Sequence, residues 1–278
     1  MTDIAIQDNG TIIDLVGDND DLSNVDTLEL TPEGLFINVE GEKVKFNTEL
    51  DLSNIDWDNT RVIRVGGGAV PHKQNGEGLT ITTSNFNNLL ITSKEPEPFT
   101  DVNDDDWFKQ DVEDMFNYGF TTGTTATTYS PNESINRAQF AVMLARAFEL
   151  QQASKENTLS DIGDKWYASE VQALVDAGII KGFNDGTFGG EKNLTRQQAA
   201  TMLVNVLKYL GVNTEVTEGV QFSDLDKIGE HAKGSVEYLA SKGVLVNGED
   251  VNFNPYKNLT RAQMAKMLVK SVRLTGLY

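Results

Sequence analysis

The carboxyl-terminal two thirds of this 278-residue chain repeats itself three times. Ile135-Asn136-Arg137-Ala138-Gln139-Phe140 returns as Leu194-Thr195-Arg196-Gln197-Gln198-Ala199 and again as Leu259-Thr260-Arg261-Ala262-Gln263-Met264. A glycine stands 18 positions ahead of each arginine, at Gly119, Gly178 and Gly243. Self-similarity at a period of about 60 residues restricts the fold to supersecondary units that bury their apolar faces against one another. Each unit reads helix, loop, helix. In the first helices Val112, Met115 and Phe116 correspond to Val171, Leu174 and Val175 and to Val236, Leu239 and Ala240, and the i, i+3, i+4 spacing makes one buried stripe. The second helices carry Phe140, Met143 and Leu144, then Met202, Leu203 and Val206, then Met264, Met267 and Leu268. Their methionines read as core filler rather than ligands.

Composition narrows the function. With 39% apolar residues the chain has enough for real cores, and its length suits about two domains. The net charge of -19 disfavours nucleic acid and anionic membranes as partners, since no basic patch is visible to overcome the repulsion. There is no cysteine, and only His72 and His231 could supply imidazole, so neither a zinc site nor any other cofactor is expected. No apolar run of about 18 residues and no signal peptide is present, so the chain is either cytoplasmic or a processed piece of an exported protein.

Lys94-Glu95-Pro96-Glu97-Pro98 marks a boundary, because each proline pushes its predecessor out of helical angles. Residues 1–98 hold 18 Asp and Glu against 6 Lys and Arg, so the first third is the more acidic part. Alternating strings such as Leu35-Phe36-Ile37-Asn38-Val39 and Leu79-Thr80-Ile81-Thr82 predict strands there. Asp21-Leu22-Ser23-Asn24-Val25-Asp26 returns as Asp51-Leu52-Ser53-Asn54-Ile55-Asp56, which fits a short β-solenoid, a pair of hairpins or a sandwich. The expected organisation is multi-domain: an acidic all-β domain at 1–93, a linker at 94–98, and repeats at 99–157, 158–219 and 220–278.

Three sets of residues could carry chemistry. Thr195 with Gln198, Thr260 with Gln263, and Asn136 with Gln139 match capping boxes. Arg137, Arg196 and Arg261 then fall in the first helical turn, the unfavourable end of the macrodipole for a cation, which points to an anion nearby. A helix start with free N–H groups and a guanidinium suits a carboxylate or phosphate; an ion pair with Asp101, Asp161 or Asp224 is an equal alternative. Trp107 and Trp166 hold equivalent places five residues ahead of Val112 and Val171, with His231 at that place in the third unit. They are either core residues or platforms for a sugar ring. Together the arginines and tryptophans describe a groove for an acidic saccharide. Asp101-Val102-Asn103-Asp104-Asp105-Asp106 lacks the glycine and distal glutamate of a calcium loop and reads as a solvated turn, and Gly66-Gly67-Gly68 lacks the lysine of a phosphate loop.

These residues resemble the S-layer homology domains of bacterial surface proteins. Phe99-Thr100-Asp101-Val102, Leu159-Ser160-Asp161-Ile162 and Phe222-Ser223-Asp224-Leu225 open the units; Gly178-Ile179-Ile180-Lys181-Gly182-Phe183 is the best-kept loop; and Thr260-Arg261-Ala262-Gln263 is similar to the family's closing Thr-Arg-Ala-Glu. The resemblance implies an α-rich, pseudo-threefold trimer of repeats with three grooves. It also implies noncovalent binding of secondary cell wall polysaccharide, often a pyruvylated amino sugar, at an extracellular site in the cell wall or S-layer. By that likeness Arg137, Arg196 and Arg261 meet the ligand carboxylate, Trp107 and Trp166 face the sugar, and Asp101, Asp161 and Asp224 belong to the same site. The first unit departs in its loop Thr121-Thr122-Gly123-Thr124-Thr125, and the third in Asn247-Gly248-Glu249-Asp250, whose acid would repel a carboxylate. Unequal grooves are therefore expected, with those using Arg196 and Trp166 the better.

The chain is thus expected to anchor rather than catalyse, with other surface-layer subunits as further partners. The alternative is a tethered piece of an extracellular enzyme or appendage protein whose activity lies in the first domain. A protein-binding helical array would instead need an exposed apolar groove.

Overall fold

The computed structural model describes residues 3–7, 10–14, 25–39, 42–46, 52, 55–64, 68–76, 78–83, 86, 89–150, 156–216, 222–245 and 252–278. They form two compact units. One comprises Met1–Glu97 with Glu113–Thr121 and Gly276–Tyr278; the other comprises Pro98–Val112 and Thr122–Thr275.

The first unit contains β1 (Asp3–Gln7), β2 (Gly10–Asp14), β3 (Val25–Thr31), β4 (Gly34–Val39), β5 (Glu42–Phe46), β6 (Thr60–Arg64), β7 (His72–Gln74), β8 (Leu79–Ile81) and β9 (Leu89–Ser93). They pair into a four-stranded sheet in the order β1-β2-β9-β6 and a five-stranded sheet in the order β5-β4-β3-β8-β7. Every pairing between these strands is antiparallel. A β-solenoid stacks its strands in parallel, whereas the described strands form antiparallel sheets. Alternation explains the core: Leu28, Leu30, Leu35, Ile37, Leu79 and Ile81 of one sheet and Val62, Leu89 and Ile91 of the other enter one buried cluster. Most of the expected Asp21 repeat lies outside the described residues.

The repeats supply α1 (Lys109–Asn117), α2 (Arg137–Ala147), α3 (Ala168–Asp176), α4 (Arg196–Tyr209), α5 (Glu230–Ser241) and α6 (Arg261–Arg273). Most of the expected stripe is buried: Val112, Met115, Val171, Leu174, Val236 and Leu239 have no exposed surface, while Phe116 and Val175 are half-buried. The methionines Met202, Met264 and Met267 are buried.

The three periodic glycines end the first helix of each repeat. Gly119, Gly178 and Gly243 have φ of 75°, 70° and 69°, a left-handed conformation that a side chain disfavours. The Gly178 amide donates to the Val175 carbonyl and the Ile179 amide to the Leu174 carbonyl, the Schellman pattern; Gly119 with Phe120 and Gly243 with Val244 repeat it. Each cap places an apolar residue beside the last turn, and Phe120, Ile179 and Val244 are all buried.

The second unit closes on itself through main-chain bonds. The Ile135 amide donates to Leu259 O at 3.0 Å, Leu259 to Leu194 O at 2.8 Å, and Leu194 back to Ile135 O at 3.0 Å. Those three residues, each two positions before a motif arginine, are fully buried. A cycle of bonds among equivalent positions couples all three repeats, so none is an independent module.

Candidate functional site

The motif arginines begin α2, α4 and α6, each behind a complete capping box. Gln139, Gln198 and Gln263 spend their side-chain oxygens on the amides of Asn136, Thr195 and Thr260. The next donors are also taken. Arg137, Arg196 and Arg261 amides reach Lys192 O, Lys257 O and Glu133 O at 2.9–3.0 Å, and the amides of Ala138, Gln197 and Ala262 reach Gly190 O, Pro255 O and Pro131 O. The expectation of free N–H groups at these helix starts is therefore corrected. Buried helix ends need partners, and here the next repeat in the cycle provides them.

The guanidinium groups are held with equal regularity. Arg137 Nε donates to Phe188 O at 3.0 Å, Arg196 Nε to Phe253 O at 2.7 Å, and Arg261 Nε to Tyr129 O at 2.6 Å. Each guanidinium also lies over the ring of that residue, with Cζ 5.0, 5.0 and 4.7 Å from the centroid. The aspartates grip the same three residues from the other side. Asp161 accepts from the amides of Phe188 and Gly189, Asp224 from Phe253 and Asn254, and Asp101 from Tyr129 and Ser130, all at 2.6–2.8 Å. The carboxylates thus spend both oxygens on a loop rather than waiting for a ligand.

Sequence reasoning missed the aromatic seat between them. Tyr129, Phe188 and Phe253 each stand eight positions ahead of a motif arginine and are completely buried. The trace of it in the sequence is the small or polar residue after each, Ser130, Gly189 and Asn254, which take φ of 59°, 67° and 56°. Two of those are non-glycine, and the paired aspartate bonds offset the cost of that conformation.

Burial governs the electrostatics. It pulls Arg137 below its usual pKa, and Asp161 opposes that shift. The Tyr129 hydroxyl is pushed up by burial while it donates to Arg261 O. Arg261 Nη2 is buried with no hydrogen-bond partner among the described residues. Lys266 is pulled down by burial and by Lys270, against Asp111.

Motif arginines line a larger and a smaller groove among the described residues. The larger, about 630 Å³, is lined by Arg137 of the first repeat, the Gly178–Asn184 loop with Gln197 and Gln198 of the second, and His231 of the third. The smaller, about 10 Å³, gathers Trp107, Arg196, Leu245, Gln263 and Lys266. Among the described residues neither lining includes an Asp or Glu. Each groove therefore draws on all three repeats, a combination that no local motif displays. The two grooves differ in size; the roomier one has neither Arg196 nor Trp166 in its lining, and Arg196 shares the smaller with Trp107. Trp107 and Trp166 are 58% and 61% exposed, which removes the reading of buried core tryptophans. Lys266 Nζ stands 5.4 Å over the Trp107 ring. The acidic stretch at Asn247–Asp250 lies outside the described residues. Among the described residues no group of three or more His, Asp or Glu is placed to hold a metal ion, and no helix is long and apolar enough to cross a membrane.

Comparison with known proteins gives three tandem matches to the S-layer homology domain, over residues 98–141, 158–200 and 221–265. The chain is 35% identical over 172 residues to an endoglucanase of a Bacillus species, covering 62% of this chain and 18% of that protein. It is 28% identical to the surface-layer 125 kDa protein of Lysinibacillus sphaericus, covering 59% of this chain and 14% of the other. It is likewise 28% identical to a cellulosome-anchoring protein of Acetivibrio thermocellus, over 55% of this chain and 35% of that one. The chain spans only a minor part of the length of these relatives.

Proposed function

The three repeats within residues 98–265 belong to the S-layer homology domain family, and on that premise we propose that the chain anchors a bacterial surface protein noncovalently to the cell wall. The ligand is secondary cell wall polysaccharide, an anionic glycan such as one with pyruvylated amino sugars, held in the grooves between repeats. The observation that carries this reading is the placement of Arg137 in a groove of about 630 Å³ whose lining, among the described residues, includes no carboxylate, in a chain of net charge -19. A guanidinium there meets an acidic sugar by charge-assisted hydrogen bonds, and exposed Trp107 and Trp166 offer ring faces for stacking.

Roles divide accordingly. Arg137, Arg196 and Arg261 contact the ligand carboxylate. Asp101, Asp161 and Asp224 act one step back, fixing the aromatic loops on which the arginines rest. We read the closed hydrogen-bond cycle as a pseudo-threefold arrangement of repeats 99–157, 158–219 and 220–278, carried behind a β domain at 1–93 and a linker at 94–98. The names of the surface-layer and cellulosome-anchoring relatives fit an anchor. The endoglucanase relative favours a second reading, in which such repeats tether an enzyme domain that lies elsewhere in a longer protein.

The test is cosedimentation with cell-wall sacculi before and after the wall polysaccharide is stripped. Because the arginines also hold loops, Arg→Lys variants at 137, 196 and 261 are compared with the alanine variants, with near-ultraviolet circular dichroism reporting the fold. Binding that needs both polysaccharide and the intact guanidinium groups supports the anchor. Binding indifferent to stripping and to all three substitutions rejects it.

A further inference from the structure

The Arg137 groove differs in chemistry from the Arg196 groove. Each repeat contributes one basic side chain to it: Arg137 from the first, Lys181 from the second and His231 from the third. This concentration occurs in a chain with 42 acidic against 23 basic residues. A fourth cation, Lys192, stands beside the groove wall. The Phe183 ring, in the groove wall, receives Arg137 Cζ at 4.7 Å and Lys192 Nζ at 4.5 Å from its centroid. Two cations thus converge on one ring, each with a carboxylate of the chain acting on it, Asp161 on Arg137 and Asp185 on Lys192.

His231 is built into place. The Gly229 amide, just ahead of α5, donates to Gln197 Oε1 at 3.1 Å. A Cβ at position 229 would fall 2.7 Å from His231 Cε1, so the glycine leaves room for the imidazole. The other two repeats carry an exposed tryptophan at this place. Exchange of an indole for an imidazole replaces a broad stacking face with a ring whose nitrogens bond at the edge. At about 630 Å³ the groove falls within the range of about 300–1,000 Å³ that ligands occupy.

We propose that this groove is a distinct subsite for a glycan segment carrying two separated anionic groups, one met by Arg137 and the other by Lys181 and His231. The inference rests on the reading that the repeats bind wall glycan, and it assigns this one groove a more highly charged segment than its neighbour. The second anionic group is a carboxylate or a phosphate.

Calorimetric titration of the whole chain with galacturonate, digalacturonate and galacturonic acid 1-phosphate tests it. At least one of the two doubly charged probes binds five times or more tighter than galacturonate, and which one does so identifies the second group. His231→Trp and Lys181→Gln each bring that advantage below fivefold while galacturonate binding persists, which also reports an intact fold. An advantage below fivefold in the unsubstituted chain, or one that survives both substitutions, overturns the proposal. So does failure of both doubly charged probes to bind a chain that still cosediments with sacculi, an outcome that leaves the anchor standing. Loss of probe binding together with cosedimentation overturns both.

Discussion

At the scale of the residue, three side chains in fixed relation define each joint of the repeat unit. Asp161 takes the amides of Phe188 and Gly189, Arg137 takes the Phe188 carbonyl, and the ring lies under the guanidinium. Asp161→Ala leaves two amides without their charged acceptor, and hydrogen bonds to charged groups contribute roughly 1.5–3 kcal/mol each when buried. Urea unfolding should show a loss of about 2–4 kcal/mol, with Asp161→Asn recovering part of it. Gly178 has open space around its Cβ position, so Gly178→Ala isolates the cost of φ at 70°. Thermal unfolding is expected to register about 1 kcal/mol of destabilisation, and Gly178→Asn less, because asparagine tolerates that conformation better. The arginines, the aspartates and the periodic glycines were all visible in the sequence. Their jobs were only partly so, since Asp161 and Arg137 belong to different repeats and meet across Phe188. Spacing within a motif carries no information about which other motif will face it.

At the scale of the element, helices were more legible than the surfaces they form. Capping boxes are local, so Asn136, Thr195 and Thr260 could be assigned from residues three positions apart, and all three boxes form. Thr195→Ala should cost about 1 kcal/mol in chemical denaturation, with Thr195→Asn near neutral, because either side chain can accept from the Gln198 amide. What was not legible was the fate of the remaining helix-start amides. In an isolated helix they would face solvent or an anion, but here a neighbouring loop covers them. The strands show the same division. Alternation marked β4 and β8, whereas their pairing into five- and four-stranded sheets depended on long-range partners such as β3 with β8 and β2 with β9. The β5 edge carries Lys43 and Lys45, both over the Phe36 ring, a charged edge of the kind that discourages further strand pairing.

At the scale of the whole molecule, each unit has its own long-range tie. In the β unit His72 is buried, with Nδ1 2.7 Å from Val70 O and edge contacts to Tyr118 and Tyr278. Burial lowers its pKa to about 4, with Lys94 adding to the shift and Val70 O opposing it. Above the unfolded value of about 6.5 the ring is neutral in both states, and its contribution is fully present. Between 6.5 and 4 the unfolded chain binds a proton that the folded unit excludes, so stability falls with pH by about 3 kcal/mol in all. Urea midpoints measured from pH 7 to pH 4 should show this slope, and His72→Phe should flatten it. In the repeat unit the tie is the cycle through Ile135, Leu259 and Leu194, which requires all three repeats at once. Deletion of the third repeat should therefore abolish cooperative unfolding of the other two rather than leave a two-repeat domain, as calorimetry would report. Sequence alone determined the repeat number, the starts of the second helices, most of the buried stripes and the family, because periodicity and caps act over a few residues. Tertiary structure alone decided that Arg137 shares a groove with His231 and Arg196 with Trp107, that the helix-start amides are taken, and that the aspartates hold loops. Each of those outcomes joins residues about 30 to 130 positions apart, and only closure of the chain upon itself brings them within hydrogen-bonding or van der Waals reach.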